Sequence, residues 1–137
     1  MKPAGTLQYI PRLVLDETKR TQIRQLLIQS GLVQEPENPE IVVDWYEAEK
    51  DAENRIVRQV HTVVYRDGGD AEAPAVLFYR LEKNRQTGET REYYHIPPAD
   101  RQAELADAWR WWEDAAKLNR LTDYAQSIPE DNWIQFA

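Results

Sequence analysis

The chain has 137 residues, 42% of them hydrophobic and 30% charged, with a formal net charge of −7 and no cysteine. A domain of this size buries about two-thirds of the surface its unfolded chain exposes. It therefore needs no metal or disulfide to fold, and thiolate catalysis, iron–sulfur clusters and cysteine zinc sites are excluded. No run of about 18 apolar residues is present, which argues against a spanning helix. No basic stripe marks a surface for direct nucleic-acid binding.

The opening "MKPAGTLQYIPRL" has no long apolar core and no small-residue cleavage site. With the missing cysteines it points to a mature N-terminus in the cytoplasm. "LQYIPRLVL" is apolar and carries Pro11, so it reads as an extended lead-in or edge strand. A first helix follows. Asp16 suits its N-cap, and Ile23, Leu26, Leu27 and Ser30 share one face. Gly31 supplies the left-handed residue that stops it, and Leu32 can fold back onto the last turn.

"GLVQEPENPE" is a loop. The charge is uneven around it. Residues 1–33 hold five cations against two acids, a net of +3, whereas residues 34–55 hold eight acids against two cations, a net of −6. Such a segment can steer a basic partner or imitate a phosphate backbone.

"IVVDWYEAEK" and "RIVRQVHTVVYR" are rich in β-branched and aromatic residues, which predicts strands over about 41–49 and 55–66. Asp51 and Asn54 would form the turn between them. The apolar spacing from Ile56 to Val64 also fits a helix, so one helix over 44–66 is the competing expectation. A second hairpin is predicted next. Leu77, Tyr79 and Leu81 fall on one side and Phe78 and Arg80 on the other. "NRQTGE" supplies turn chemistry with Gly88, and Pro97–Pro98 ends the return strand "TREYYHI".

From Asp100 to about Arg120 the composition favours a helix. At 100° per residue, Leu105, Ala108, Trp109, Trp112, Ala115 and Ala116 fill one arc, opposite Asp107, Arg110, Glu113, Asp114 and Lys117. This puts Trp112 in the core and Trp109 and Trp111 on the two flanks, with Trp111 the better candidate for an exposed anchor. The tail "TDYAQSIPEDNWIQFA" ends on an apolar cluster of Trp133, Ile134 and Phe136. Such a tail docks on its own domain or serves as a recognition element.

Catalytic signals are sparse. His61 and His95 show no metal-ligand spacing. No phosphate-binding glycine loop, nucleophile elbow or calcium loop is present. Glu92 and His95, with Tyr93 and Tyr94 between them, are the one cluster that could do acid–base work.

The expected architecture is a single α+β domain over residues 1–137: an N-terminal helix, an antiparallel sheet of about four strands, and a long Trp-rich C-terminal helix packed on one sheet face. The expected function is a small acidic cytoplasmic protein-interaction module (inhibitor, immunity-type protein, adaptor or assembly factor), without catalytic activity or cofactor. Its expected partner is another protein with a basic surface. The expected contact residues are Glu35, Glu37, Glu40, Asp44, Glu47, Glu49, Trp111, Trp133 and Phe136. The alternatives are a binder of a small apolar ligand between sheet and helix, a DNA-mimic inhibitor, and an enzyme using Glu92 and His95.

Overall fold

A computed structural model of the protein describes residues 7–8, 17–31, 39–67 and 75–136. It is an α+β fold built on one antiparallel sheet whose strands follow one another in chain order, β1-β2-β3-β4-β5-β6. The first element is a two-residue edge strand, β1 (Leu7–Gln8), which pairs with β2. The expected cap Asp16, and Glu35 and Glu37 in the next loop, lie outside the described residues.

Helix α1 spans Glu17–Ser30 and stops where the sequence predicts. Gly31 takes φ +76° and its N–H bonds the Ile28 carbonyl at 3.1 Å. A side chain is disfavoured in that left-handed conformation, so glycine ends the helix at little cost. Ser30 is exposed, and its hydroxyl donates to the Leu27 carbonyl at 2.6 Å.

Strands β2 (Glu40–Lys50) and β3 (Ile56–Asp67) form the first long hairpin, so the single-helix alternative is overturned. β-branched side chains sit more easily on a pleat than against a helical turn. The turn uses the two residues expected of it. The Asp51 carboxylate accepts from the N–H groups of Glu53 (3.0 Å) and Arg55 (2.9 Å), and Asn54 adopts φ +65°. Strands β4 (Ala75–Asn84) and β5 (Thr90–His95) form the second hairpin. There the Asn84 amide oxygen accepts from Gln86 N–H, and Gly88 takes φ +76°.

Both faces of the sheet are covered, not one. Ile23 and Leu27 of α1 form a core with Val63, Tyr65, Leu77 and Tyr79. On the other face Val43, Trp45, Val64 and Phe78 form a core with Leu105, Ala108, Leu121, Tyr124 and Trp133. Odd and even positions of β3 and β4 serve different cores, as the period of two requires, while a register shift between Ile41 and Val43 resets the alternation in β2.

The long C-terminal helix is replaced by three pieces. Helix α2 (Ala99–Asp107) passes into a 3-10 turn over Ala108–Glu113, and α3 (Ala115–Ser127) starts afresh after Asp114. Arg110 leaves helical geometry at φ −94°, ψ 49°, and Asp114 is extended at φ −154°, ψ 113°. Gln102 anchors α2. Its amide oxygen accepts from Val76 N–H at 2.7 Å, and its amide nitrogen donates to the Val76 and Pro97 carbonyls. After α3 and a short turn (Glu130–Asn132), β6 (Ile134–Gln135) pairs with β5.

Candidate functional site

The break at residues 108–114 decides where the tryptophans point. Across the kink at Arg110, Trp109 and Trp112 meet edge to face, with centroids 6.0 Å apart at 85°. Trp111 meets Trp112 from its other neighbour position, at 6.1 Å and 81°. The wheel placed Trp112 in the core, yet it is 52% exposed. Trp111, expected as the exposed anchor, is half-buried and donates its indole N–H to the Val42 carbonyl at 2.9 Å. Trp109 is half-buried under two guanidinium groups, Arg110 at 4.5 Å and Arg66 at 5.1 Å. One indole is thus presented to solvent on two that are fixed.

Within the described part of the acidic segment, several carboxylates have partners inside the domain. Asp44 is 1% exposed and bonds His61 Nε2 at 2.5 Å. Glu47 accepts from the Trp45 indole, and Asp51 and Glu53 pair with Arg55. Arg58 bridges Glu49 and Glu82. Of the predicted acidic contacts, Glu40 and Glu49 are exposed, Glu47 is half-buried, and Asp44 belongs to the interior.

The terminal aromatics also face inward. Trp133 is 7% exposed and lies in the core of the helical face. Phe136 packs against Tyr79 and Tyr94, with the Lys19 ammonium 4.3 Å from its ring centroid.

Glu92 and His95 do not meet. Three residues apart on a strand is an odd step, so they point to opposite faces. Glu92 faces α1, where Lys19 approaches at 2.7 Å and the Tyr79 hydroxyl donates to it. Burial opposes its ionisation, but those two hydrogen bonds outweigh it and hold its pKa below the usual value. His95 is buried on the helical face, between the Tyr124 hydroxyl and the Asn132 carbonyl.

The one close carboxylate–imidazole pair that sequence reasoning missed is Asp44 with His61. Asp44 stands opposite Val63 and Tyr46 opposite His61, so all four share the α1 face. Tyr46 stacks flat on the imidazole, 4.1 Å away at 11°. Burial raises the Asp44 pKa against the lowering effect of His61. The signal was an aspartate at an inward-facing step of an apolar strand, which calls for a buried partner. Among the described residues, no group of three or more metal-capable side chains is present.

Two clefts adjoin at the polar end of the helical face. One, of about 220 Å³, lies over Arg58, Glu82 and Arg91. The other, of about 250 Å³, lies where α3 ends, between Glu47, Arg58, Arg80, Gln126, Glu130 and Trp133. Neither cleft is lined by Trp109, Trp111 or Trp112. A more open groove of about 550 Å³ runs between α1 and the β5–β6 edge.

No protein family, curated protein or solved structure matches this chain.

Proposed function

We propose that the protein is a protein-interaction module that docks on a partner protein through Trp112. The observation that carries this reading is the 52% exposure of an indole braced edge-on by Trp109 and Trp111. Leaving so large an apolar group in water forgoes burial of about 25 cal/mol per Å². Bracing it reduces the ordering cost of binding, and tryptophan is enriched among residues that dominate interfaces. Charges flanking it are balanced: Asp107, Glu113 and Asp114 against Arg66, Arg110 and Lys117. Affinity at this spot accordingly comes from apolar burial. The chain's net −7 acts at longer range, speeding encounter with a basic partner.

The test pairs a photo-crosslinking amino acid at position 112 with kinetics of Trp112→Ala on the captured partner. The reading expects crosslinks at 112, a dissociation rate raised at least about tenfold in Trp112→Ala, and an association rate that salt slows. The thermal midpoint of Trp112→Ala should stay near wild type, because the side chain is half in solvent. Unchanged dissociation in that variant would sink the proposal.

A further inference from the structure

Arg80 is an unusual occupant of a sheet interior. It is 8% exposed, in the cross-strand row Thr62–Arg80–Tyr93. Its guanidinium lies 4.5 Å from the Trp133 ring centroid and 4.9 Å from that of Tyr93. A buried cation requires a carboxylate partner. The nearer partner is Glu130, whose oxygens meet both terminal nitrogens at 3.0 and 3.4 Å, while Glu82 stands 3.9 Å from one of them. Yet the Glu130 side chain is 79% exposed, at the start of a three-residue turn. The fork of a buried arginine is thus closed from outside, at the mouth of the 250 Å³ cleft, by a side chain that water surrounds.

The same cleft wall holds two donors with nothing to accept from them. Arg80 Nε and the Gln126 side-chain nitrogen are both buried without a hydrogen-bond partner. Buried donors are nearly always satisfied, and each one left open costs about 1–3 kcal/mol. Glu47 lines the same cleft and supplies an acceptor.

We propose that this cleft binds a small zwitterionic carboxylate, a free α-amino acid, with Arg80 exchanging Glu130 for the ligand's carboxylate. Gln126 donates to the same carboxylate, and Glu47 receives the ammonium group. The size fits. At about 30 Å³ per water-sized group, the cleft holds a molecule of on the order of eight such groups. The charge fits as well: Arg58 and Arg80 line the cleft together with Glu47 and Glu130, which suits a ligand carrying one charge of each sign. The site is separate from the Trp112 surface, so either assignment stands without the other.

The test is an ¹⁵N-resolved titration of the intact protein with L-alanine, acetate, succinate and chloride at equal ionic strength. Trp133 indole and Gln126 side-chain resonances are the readout. Saturable shifts with alanine, tighter than with acetate and succinate, support the proposal. Equal shifts with chloride, or tighter binding of succinate, overturn it. Glu130→Gln is the decisive variant. Freeing the guanidinium should tighten alanine binding by about threefold or more, whereas a purely structural pair predicts no gain. Arg80→Lys, which keeps the charge and loses the fork, should weaken it about tenfold. Should Arg80→Lys fail to fold, Gln126→Leu provides the same reading through a weaker affinity. Unchanged affinity in both Glu130→Gln and Gln126→Leu refutes the site.

Discussion

His95 illustrates how much one buried side chain determines. Its Nδ1–H donates to the Asn132 carbonyl at 3.0 Å, which leaves Nε2 to accept from the Tyr124 hydroxyl at 2.7 Å. Both bonds suit the neutral ring. Burial depresses its pKa below the ordinary 6.5, and the Asn132 carbonyl, which favours the protonated ring, offsets only part of that. The unfolded chain therefore takes up this proton first. The histidine's contribution is complete above about 6.5 and is lost as pH falls from there toward the folded-state pKa. Wild type should lose more of its thermal midpoint between pH 7.5 and 5.5 than His95→Phe does. Glu92 and Glu130 have pKa values lowered in the fold, so their losses begin as pH falls through the ordinary carboxylate value of 4.5, below this window. Asp44, raised by burial, works in the opposite sense in both proteins and cancels in the comparison. Equal slopes for the two proteins would show that the ring is not buried in its neutral form.

At the scale of elements, Asp114 separates what sequence could show from what it could not. Its carboxylate accepts from Ala116 N–H at 2.9 Å and caps α3. Asp114→Ala should cost about 1 kcal/mol in chemical denaturation, whereas Asp114→Asn should cost little. The two hairpins were legible because their turns are written in local chemistry: Asp51 and Asn54 in one, Asn84 and Gly88 in the other. Each acts over two to four residues, and no distant contact is needed to choose the conformation. The tryptophan segment misled for the opposite reason. A helical wheel is a valid ruler only where the helix is unbroken. The run from 100 to 120 contains strong helix formers throughout, so propensity alone continues the helix. What interrupts it is tertiary: the Trp111 indole reaching the Val42 carbonyl, 69 positions away in the chain. The cap signal was nonetheless there, in an aspartate followed by "AAKL". Weighing it above the wheel would have ended the first helix before Asp114 and released Trp112 from the core.

Across the whole molecule, the sheet is shared property. Leu27 belongs to the core beneath α1, and Leu121 to the core beneath the C-terminal helices. Both are almost wholly buried. The apolar alternation of β4 already announced two buried faces, with Leu77 and Tyr79 on one and Phe78 and Arg80 on the other. A single C-terminal helix covers only one of them, and α1 is the layer that covers the other. Pairings such as Asp44 with His61 stayed hidden for a related reason: register is a long-range property that a one-residue slip inverts. The shared sheet makes a definite claim about cooperativity. Leu27→Ala and Leu121→Ala should each cost about 2–5 kcal/mol through lost burial and a residual cavity. The sites share no partners, so their costs should add. Against a total of about 5–15 kcal/mol for a domain, a combined loss of about 4–10 kcal/mol should remove a large share of the double variant's stability at 25 °C. Each single variant should still melt in one transition, seen at the same midpoint by far-UV circular dichroism and by tryptophan fluorescence. All five tryptophans report on the helical face of the sheet or the turn above it: Trp45, Trp109, Trp111, Trp112 and Trp133. Leu27→Ala should therefore lower their fluorescence midpoint even though it lies under α1. If it moved only the circular dichroism signal, the two layers would be unfolding separately, and the sheet would not be the common element that joins them.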